Sequence, residues 1–344
     1  MSVSQREWQQ VGPGVHAWIH GQGDWGESNA GLVIGEGDEV LLVDTQWDEP
    51  TTTEMLAAAP LPEGASIGTL INTHADGDHT WGNAAAGAAR IVATDAAAAA
   101  FEHESPSRLN RLATVAGYTR SLPLLRAPVI GPPVTQFQLL ARYYAAMAEG
   151  WDYGSVRLTR PTDTFSGTFD LAVGGRPVQM IEVGPAHAPG DAIVHLPDDG
   201  ILFAGDILFV GVCPIAWVGP VSNWLTALDR IDALAPETIV PGHGPVATLS
   251  DIAVLRDYLT WAIEVGERQR AAGEAPAKAA ATALRSRDYQ RAPWADWLSA
   301  ERLIVTLTAL QREAEGEPPI ESVADRAKAV GQMAVLADRR AAGR

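Results

Sequence analysis

Directly after an apolar stretch the chain reads THADGDHTWGN, residues 73–83. His74, Asp76, Asp78 and His79 put two imidazoles and two carboxylates within six residues, the side chains that hold divalent cations near neutral pH. In an extended loop, side chains at i and i+2 converge, while Asp78 and His79 project to a neighbouring position. That arrangement suits two adjacent ions better than one. A solvated polar loop would account for this cluster alone, but three more residues stand in a related context. His187 lies in GPAHAPGD just after an apolar run, Asp206 ends GILFAGD, and His243 lies in IVPGHGP. Each falls at the C-terminal edge of an expected strand, where open β-rich layers gather functional loops.

The elements that must position these residues are legible from turn residues and apolar periodicity. NAGLVIGEGDEVLLVDT (29–45) reads as two strands around a Gly-Glu-Gly-Asp turn, and GTLINTH, from residue 69, as a strand running into the ligand loop. VQMIEV (178–183), DAIVHL (191–196), GILFAGD (200–206) and ETIVPG (237–242) are further strands bounded by Gly, Pro and Asp. Trp224, Leu225, Leu228, Ile231 and Leu234 recur at helical spacing. EVLLVDT and GILFAGD resemble one another, which fits two similar halves. Between them, residues 101–160 differ in character, with Pro106, Pro123, Pro128 and the pair Pro132–Pro133, then a helix that gathers Phe137, Leu140, Tyr144 and Met147 on one face. This segment reads as a helical insertion, either a cap over the site or a dimerisation arm. From 249 onward the pattern is helical, with Ile252, Leu255, Leu259, Ala262 and Ile263 on one stripe, and 319–344 reads as a terminal amphipathic helix that frays.

The order and strand contexts of these residues resemble the five motifs of the metallo-β-lactamase superfamily over roughly residues 14–246. Asp44 matches the first, 74–79 the second, His187 the third, Asp206 the fourth and His243 the fifth. The resemblance implies an α+β fold: a four-layer αββα sandwich of two mixed sheets with a dinuclear metal site on one edge. Residues 1–246 would form the catalytic domain, interrupted by the 101–160 insertion, and 247–344 a helical C-terminal extension packed on it. By the same resemblance His74, Asp76 and His187 would hold one ion and Asp78, His79 and His243 the other. Asp206 would bridge the two, and Asp44 would hydrogen-bond behind the ligands. Asp78 would also orient the nucleophile.

One departure bears on the metal. The usual second motif is H-x-H-x-D-H, and Asp76 stands where its second His is expected. Two divalent ions against Asp76, Asp78, Asp206 and a bridging hydroxide leave a neutral core, whereas a His at 76 would leave it positive. A less positive core lowers the pKa of bound water less, and added oxygen ligation favours iron or manganese. Zinc is the expected ion, with iron and manganese as alternatives. Flavodiiron proteins and a di-iron oxygenase branch of the superfamily carry a carboxylate there, usually Glu; no flavodoxin-like domain accompanies it in this sequence.

Substrate clues come from the 22 residues 207–228, which hold no charge and follow Asp206 directly. With Phe209, Trp217 and Trp224, and Trp81 after the ligand loop, they are expected to wall the site for an apolar or aromatic small molecule. Only two lysines occur, Lys278 and Lys328, neither near the motifs, so no basic clamp for a charged substrate is visible. His16, His20 and His103 have no ligand-like neighbourhood, His195 is expected to pack behind the site, and the single Cys213 to be a buried, inert thiol. With 25 Lys plus Arg against 42 Asp plus Glu the formal net charge is −17, which disfavours nucleic acid and anionic membranes as partners. No stretch approaches the about 18 apolar residues of a membrane span and no signal-peptide pattern opens the chain, so a cytoplasmic setting is expected, with a homo-oligomer compatible. The expected function is a dinuclear metal-dependent hydrolase, in which a metal-bound hydroxide attacks an ester, thioester or lactone carbonyl. A weaker resemblance points to thioesterases and cyclases of aromatic polyketide pathways. The alternative is a di-iron, dioxygen-activating oxidoreductase of the same fold.

Overall fold

The computed structural model describes residues 6–121 and 132–342; Pro123 and Pro128 lie outside them. Among the described residues twelve strands form two sheets. The first sheet runs in chain order β1 (Arg6–Gly12), β2 (Val15–His20), β3 (Ala30–Ile34), β4 (Val40–Val43), β5 (Ile67–Ile71), β6 (Arg90–Thr94) and β7 (Asp163–Phe165). It is antiparallel as far as β4 and parallel from β4 to β7. The second is built of β8 (Thr168–Val173), β9 (Arg176–Glu182), β10 (Ala192–Leu196), β11 (Ile201–Phe209) and β12 (Thr238–His243), in the spatial order β12-β11-β10-β9-β8, with only β11–β12 parallel.

Strand alternation explains how four layers arise. Along β4, Leu41 and Val43 face the second sheet with Val33, Ile71, Met180, Val194 and Phe203, while Val40 and Leu42 turn outward to Met55 of the helix Glu49–Ala57. Both faces being apolar, the strand must lie between two covered layers. The outer face of the second sheet is covered by the helices Val221–Leu234 and Leu249–Ala271, whose buried stripes include Val221, Trp224, Leu228 and Ile231, and Ile252, Leu255 and Leu259. The helices Pro276–Ala283, Leu303–Glu315 and Val323–Ala342 extend that same apolar cluster. The C-terminal helix is thus not a fraying solvated end over its described length, since Ala329, Val330, Met333, Ala334 and Leu336 are buried in it.

The insertion contributes two paired helices, Pro106–Ser121 and Pro132–Met147, the second also packed on the C-terminal helix. The expected face of that second helix divides. Leu140 and Tyr144 join the core of the helical layer and Met147 a ring cluster around Trp47, Trp81 and Tyr153, but Phe137 is about half exposed. No helix among the described residues is long and apolar enough to cross a membrane.

The two sheets approach closely where Gly31 on β3 opposes Phe203 on β11: a Cβ at 31 would overlap the Phe203 ring. Gly31→Ala is therefore expected to destabilise the fold by about 1–3 kcal/mol, the cost of overpacking an interior. Chemical denaturation checks this; an unchanged unfolding midpoint would show that the sheets can part to admit a methyl group.

Candidate metal centre

The centre begins with a backbone conformation that a non-glycine residue seldom adopts. Asp44 follows β4 with φ +59°, held by its amide bonding to the Ile71 carbonyl at 2.8 Å. Turned this way, its Oδ1 accepts from the Thr73 amide at 2.8 Å. Its Oδ2 takes the Thr73 hydroxyl at 2.7 Å and stands 3.0 Å from His79 Nδ1. The Thr73 oxygen in turn lies 3.0 Å from His74 Nδ1. On the opposite side, His187 Nδ1 meets the Ile215 carbonyl at 2.8 Å. Three imidazoles therefore have Nδ1 against a fixed acceptor. That favours the tautomer in which the Nε2 lone pair points inward, as a metal ligand requires.

What the imidazoles point at is Asp206. Its Oδ2 is 3.9 Å from His74 Nε2 and 3.3 Å from His187 Nε2, while its Oδ1 is 3.1 Å from His79 Nε2 and 3.5 Å from His243 Nε2. The carboxylate is shared between two pairs of histidines. Asp206 sits inside β11, which continues to Phe209, rather than at its end as the sequence suggests. Gly205, with φ +51°, interrupts the ladder to β12 and turns the side chain inward. Gly242 on β12 leaves room for it, since a Cβ there would overlap Asp206 Oδ1. The remaining carboxylates take one side each: Asp76 Oδ2 lies 3.1 Å from His187 Nε2, and Asp78 Oδ2 lies 3.4 Å from His243 Nε2. His74, His187 and Asp206 form one group of potential ligand atoms within 4.8 Å of one another, and Asp78, His79 and His243 a second. All seven residues singled out as ligands converge, and Asp44 stands behind them.

The donor set fits a pair of cations on grounds internal to the structure. His74 Nε2, His79 Nε2 and Asp206 Oδ1 are buried without a hydrogen-bond partner, a costly arrangement that inward-facing cations would relieve. Without ions, the centre must balance its carboxylates with protons. Burial opposes charge on His187, but Asp206 and Asp76 outweigh it and lift the ring to about 9. His79 is likewise raised, by Asp206 and Asp44 against burial. His74, pressed by burial and by its neighbour His79, falls to about 4. The surrounding imidazoles hold Asp206 and Asp76 well below the usual carboxylate range in spite of burial.

The aromatic wall expected from the charge-free run is corrected. Trp224 is wholly buried and donates its indole N–H to the Ile207 carbonyl at 2.9 Å. Phe209 is stacked on His243 with ring centroids 5.1 Å apart. Both brace histidines from behind, because the uncharged run is the interior between the second sheet and its helices, where Leu208, Val212, Cys213 and Ala216 are also fully buried. Trp217 and Trp81 keep only slivers of surface, and the Trp81 N–H bonds to Glu104 Oε2 at 3.0 Å. His195 faces Arg230 and the helical layer and makes no hydrogen bond to the centre. Cys213 is buried, its thiol pushed up to about 12, as an inert sulfur should be.

Several supports gave no local signal. His20 is buried, bonded through Nδ1 to Gln46 Oε1 at 2.7 Å, and lowered to about 3, mainly by burial. Ser28 Oγ donates to the Asp78 carbonyl, and Asn29 Nδ2 donates to the Pro241 and Gly244 carbonyls around His243. Asp191 accepts from the Ala186 and Ala188 amides and closes the loop that carries His187. Glu104, beside Trp81, is raised to about 8 by burial and by Asp76. The positive charge that two distant lysines did not supply comes from Arg326, whose field reaches Asp76, Glu104 and Tyr144.

The fold and this centre define a metallo-beta-lactamase superfamily protein: the family model matches residues 23–243, and the chain belongs to that superfamily. Among its relatives, a linear primary-alkylsulfatase of a Pseudomonas species is 30% identical over 98 residues, 26% of this chain and 18% of that protein. A hydroxyacylglutathione hydrolase of a Synechococcus species is 33% identical over 103 residues, 30% of this chain and 40% of that one. The matched stretches thus span less than half of either relative. Among solved structures, the inverting sec-alkylsulfatase Pisa1 of a Pseudomonas species superposes with TM-score 0.62 at 16% identity, covering 90% of this chain and 50% of that one. A metallo-beta-lactamase family protein of Thermus thermophilus gives TM-score 0.59 at 17% identity, over 89% and 95% respectively. At such identities these two likenesses concern the fold.

Because Asp206 and Asp76 lift His187 to about 9, an incoming cation is expected to displace a proton from it at pH 7. With His79 raised as well, apparent metal affinity is expected to rise with pH from 7 through about 9. Titration calorimetry in buffers of different ionisation enthalpy measures the protons released; no release at pH 7 would show that neither His187 nor His79 gives up a proton to the ion.

Proposed function

We propose that the chain is a dinuclear metal-dependent hydrolase of small-molecule esters or thioesters, with sulfate esters brought in by its similarity to alkylsulfatases. The observation that carries the reading is the division of Asp206 between two histidine pairs, with buried Nε2 and Oδ1 atoms left unpaired between them. His74, Asp76 and His187 would hold one ion, Asp78, His79 and His243 the other, and Asp206 both. Bound there, the ions would supply a water activated near neutral pH and polarise the scissile group.

The chain's own residues do the rest. Asp44 and Thr73 keep His79 and His74 aimed inward, and the Ile215 carbonyl does so for His187. Asp76 and Asp78 keep about a quarter and a fifth of their side chains exposed, so substrate approaches over them. Asp78, held by Ser28 through its backbone and 3.4 Å from His243, is placed to accept a proton from the attacking water and orient it. A polyketide thioesterase or cyclase loses its support, because the rings meant to hold an aromatic chain, Phe209 and Trp224, face the core.

A second reading, di-iron dioxygen activation, is favoured by Asp76 alone, whose carboxylate stands against His187 where a third imidazole would make the centre richer in nitrogen. Elemental analysis with a visible spectrum and an ester, thioester and alkyl sulfate panel separates the two. Close to two colourless zinc ions per chain with hydrolysis lost on chelation is the expected result. Oxygen consumption with a di-iron chromophore and no hydrolysis would replace it by the second reading, and at most one ion after reconstitution would end both. Asp76→His should retain metal and shift preference toward zinc over manganese by about tenfold; competition titrations measure this, and an unchanged preference means that Asp76 does not coordinate.

A further inference from the structure

The loop 215–219 ties a distant arginine to the metal centre. Its Ile215 carbonyl accepts the His187 Nδ1 bond at 2.8 Å, and two residues on its Trp217 carbonyl accepts from the Ile320 amide at 3.0 Å. The second bond docks the start of the C-terminal helix on the same loop that orients the His187 ring from behind. In the first turn of that helix, the Arg326 guanidinium lies over the Trp217 ring, 5.2 Å from its centroid, and its Nε donates to the Ile320 carbonyl at 3.3 Å. Ring and carbonyl fix the plane of the guanidinium. Among the described residues, no carboxylate lies within ion-pair distance of it and neither Nη has an acceptor. Its charge reaches Asp76, Glu104 and Tyr144, and the ring it lies on belongs to the loop that holds His187.

A partly exposed guanidinium whose Nη donors have no acceptor among the described residues is open to a ligand, in a chain that is otherwise strongly acidic. Glu104, the acid other than Asp76 that its field reaches, already accepts from the Trp81 indole at 3.0 Å and makes no ion pair with Arg326. We propose that Arg326 is a specificity-determining residue that pairs with an oxyanion of the substrate, a carboxylate or a sulfate, with Trp217 and Tyr144 flanking the pair. The substrate class is then an amphipathic anion, not the neutral aromatic ester that the charge-free run suggested. This rests on the hydrolase reading and narrows it. A guanidinium held in one plane suits either oxyanion through two parallel N–H bonds. A carboxylate would lie away from the bond that is cut, whereas a sulfate would itself carry that bond.

The test uses the metal-loaded full chain, with Arg326→Gln and Arg326→Lys, and three substrates: p-nitrophenyl hydrogen glutarate, the matched neutral p-nitrophenyl pentanoate, and hexyl sulfate. The ratio of kcat/KM for the preferred anion to that for the neutral ester is expected to fall by about tenfold in Arg326→Gln, chiefly through KM, and by less in Arg326→Lys. Glutarate-dependent discrimination assigns a carboxylate, and hexyl sulfate turnover a sulfate. An unchanged ratio, or equal losses on charged and neutral substrates, overturns the proposal. Calorimetric binding of glutarate and hexyl sulfate does not depend on turnover. If Arg326→Gln weakens one of them by a similar factor while no ester is cut, the oxyanion anchor stands and the hydrolase reading falls. If neither binds in an Arg326-dependent way, the anchor falls and the hydrolase reading is judged on the neutral ester alone.

Discussion

A buried carboxylate that must face four imidazoles at once is the constraint to which the rest of this molecule answers. Asp206 cannot sit in an apolar interior unless opposite charge surrounds it, and the imidazoles cannot all carry that charge at neutral pH. The arrangement makes physical sense as a cradle for cations, with protons on His79 and His187 as stand-ins when ions are lacking. Backbone features shape the cradle: the interrupted ladder at Gly205, the clearance at Gly242, and the left-handed turn at Asp44. A left-handed non-glycine residue costs free energy, and here it is retained beside two hydrogen-bonded imidazoles.

The two sheets divide the labour. The first supplies Asp44 and the ligand loop 73–83 from adjacent parallel strands β4 and β5, so the amide and hydroxyl of Thr73 fall naturally onto Asp44. The second supplies Asp206 and His243 from its own parallel pair, β11 and β12, and His187 from the loop after β9. The centre therefore forms only when the sheets are packed, which couples its geometry to the inner core around Val33, Val43, Ile71 and Phe203. Behind the second sheet, Trp224 and Phe209 fill the space under His187 and His243, so apolar packing fixes ring planes that hydrogen bonds alone leave free.

The helical additions bear on the mouth more than on the cradle. The insertion brings Glu104, Tyr144 and Tyr153 near the carboxylates, and the C-terminal helix brings Arg326. That helix and the second insertion helix pack on one another, so on the proposed reading substrate selection and the stability of the helical layer share residues.

The ligand types, their order along the chain and their strand contexts were legible in the sequence, because metal binding needs particular atoms and a strand needs alternating apolar residues. Both requirements leave local signatures: THADGDHTWGN in one case, VLLV in the other. The division of the ligands around Asp206 was also implied, through family resemblance. What the sequence could not convey is the direction of side chains whose surroundings come from elsewhere. An uncharged run reads the same whether it lines a cleft or fills a core, and only the helical layer closing over Trp224 makes it core. Arg326 stands far downstream of the last ligand, with no spacing that links it to Asp76; only the docking of Ile320 on Trp217 brings them into one space. Local chemistry is written in local sequence, but proximity between distant segments is decided by packing.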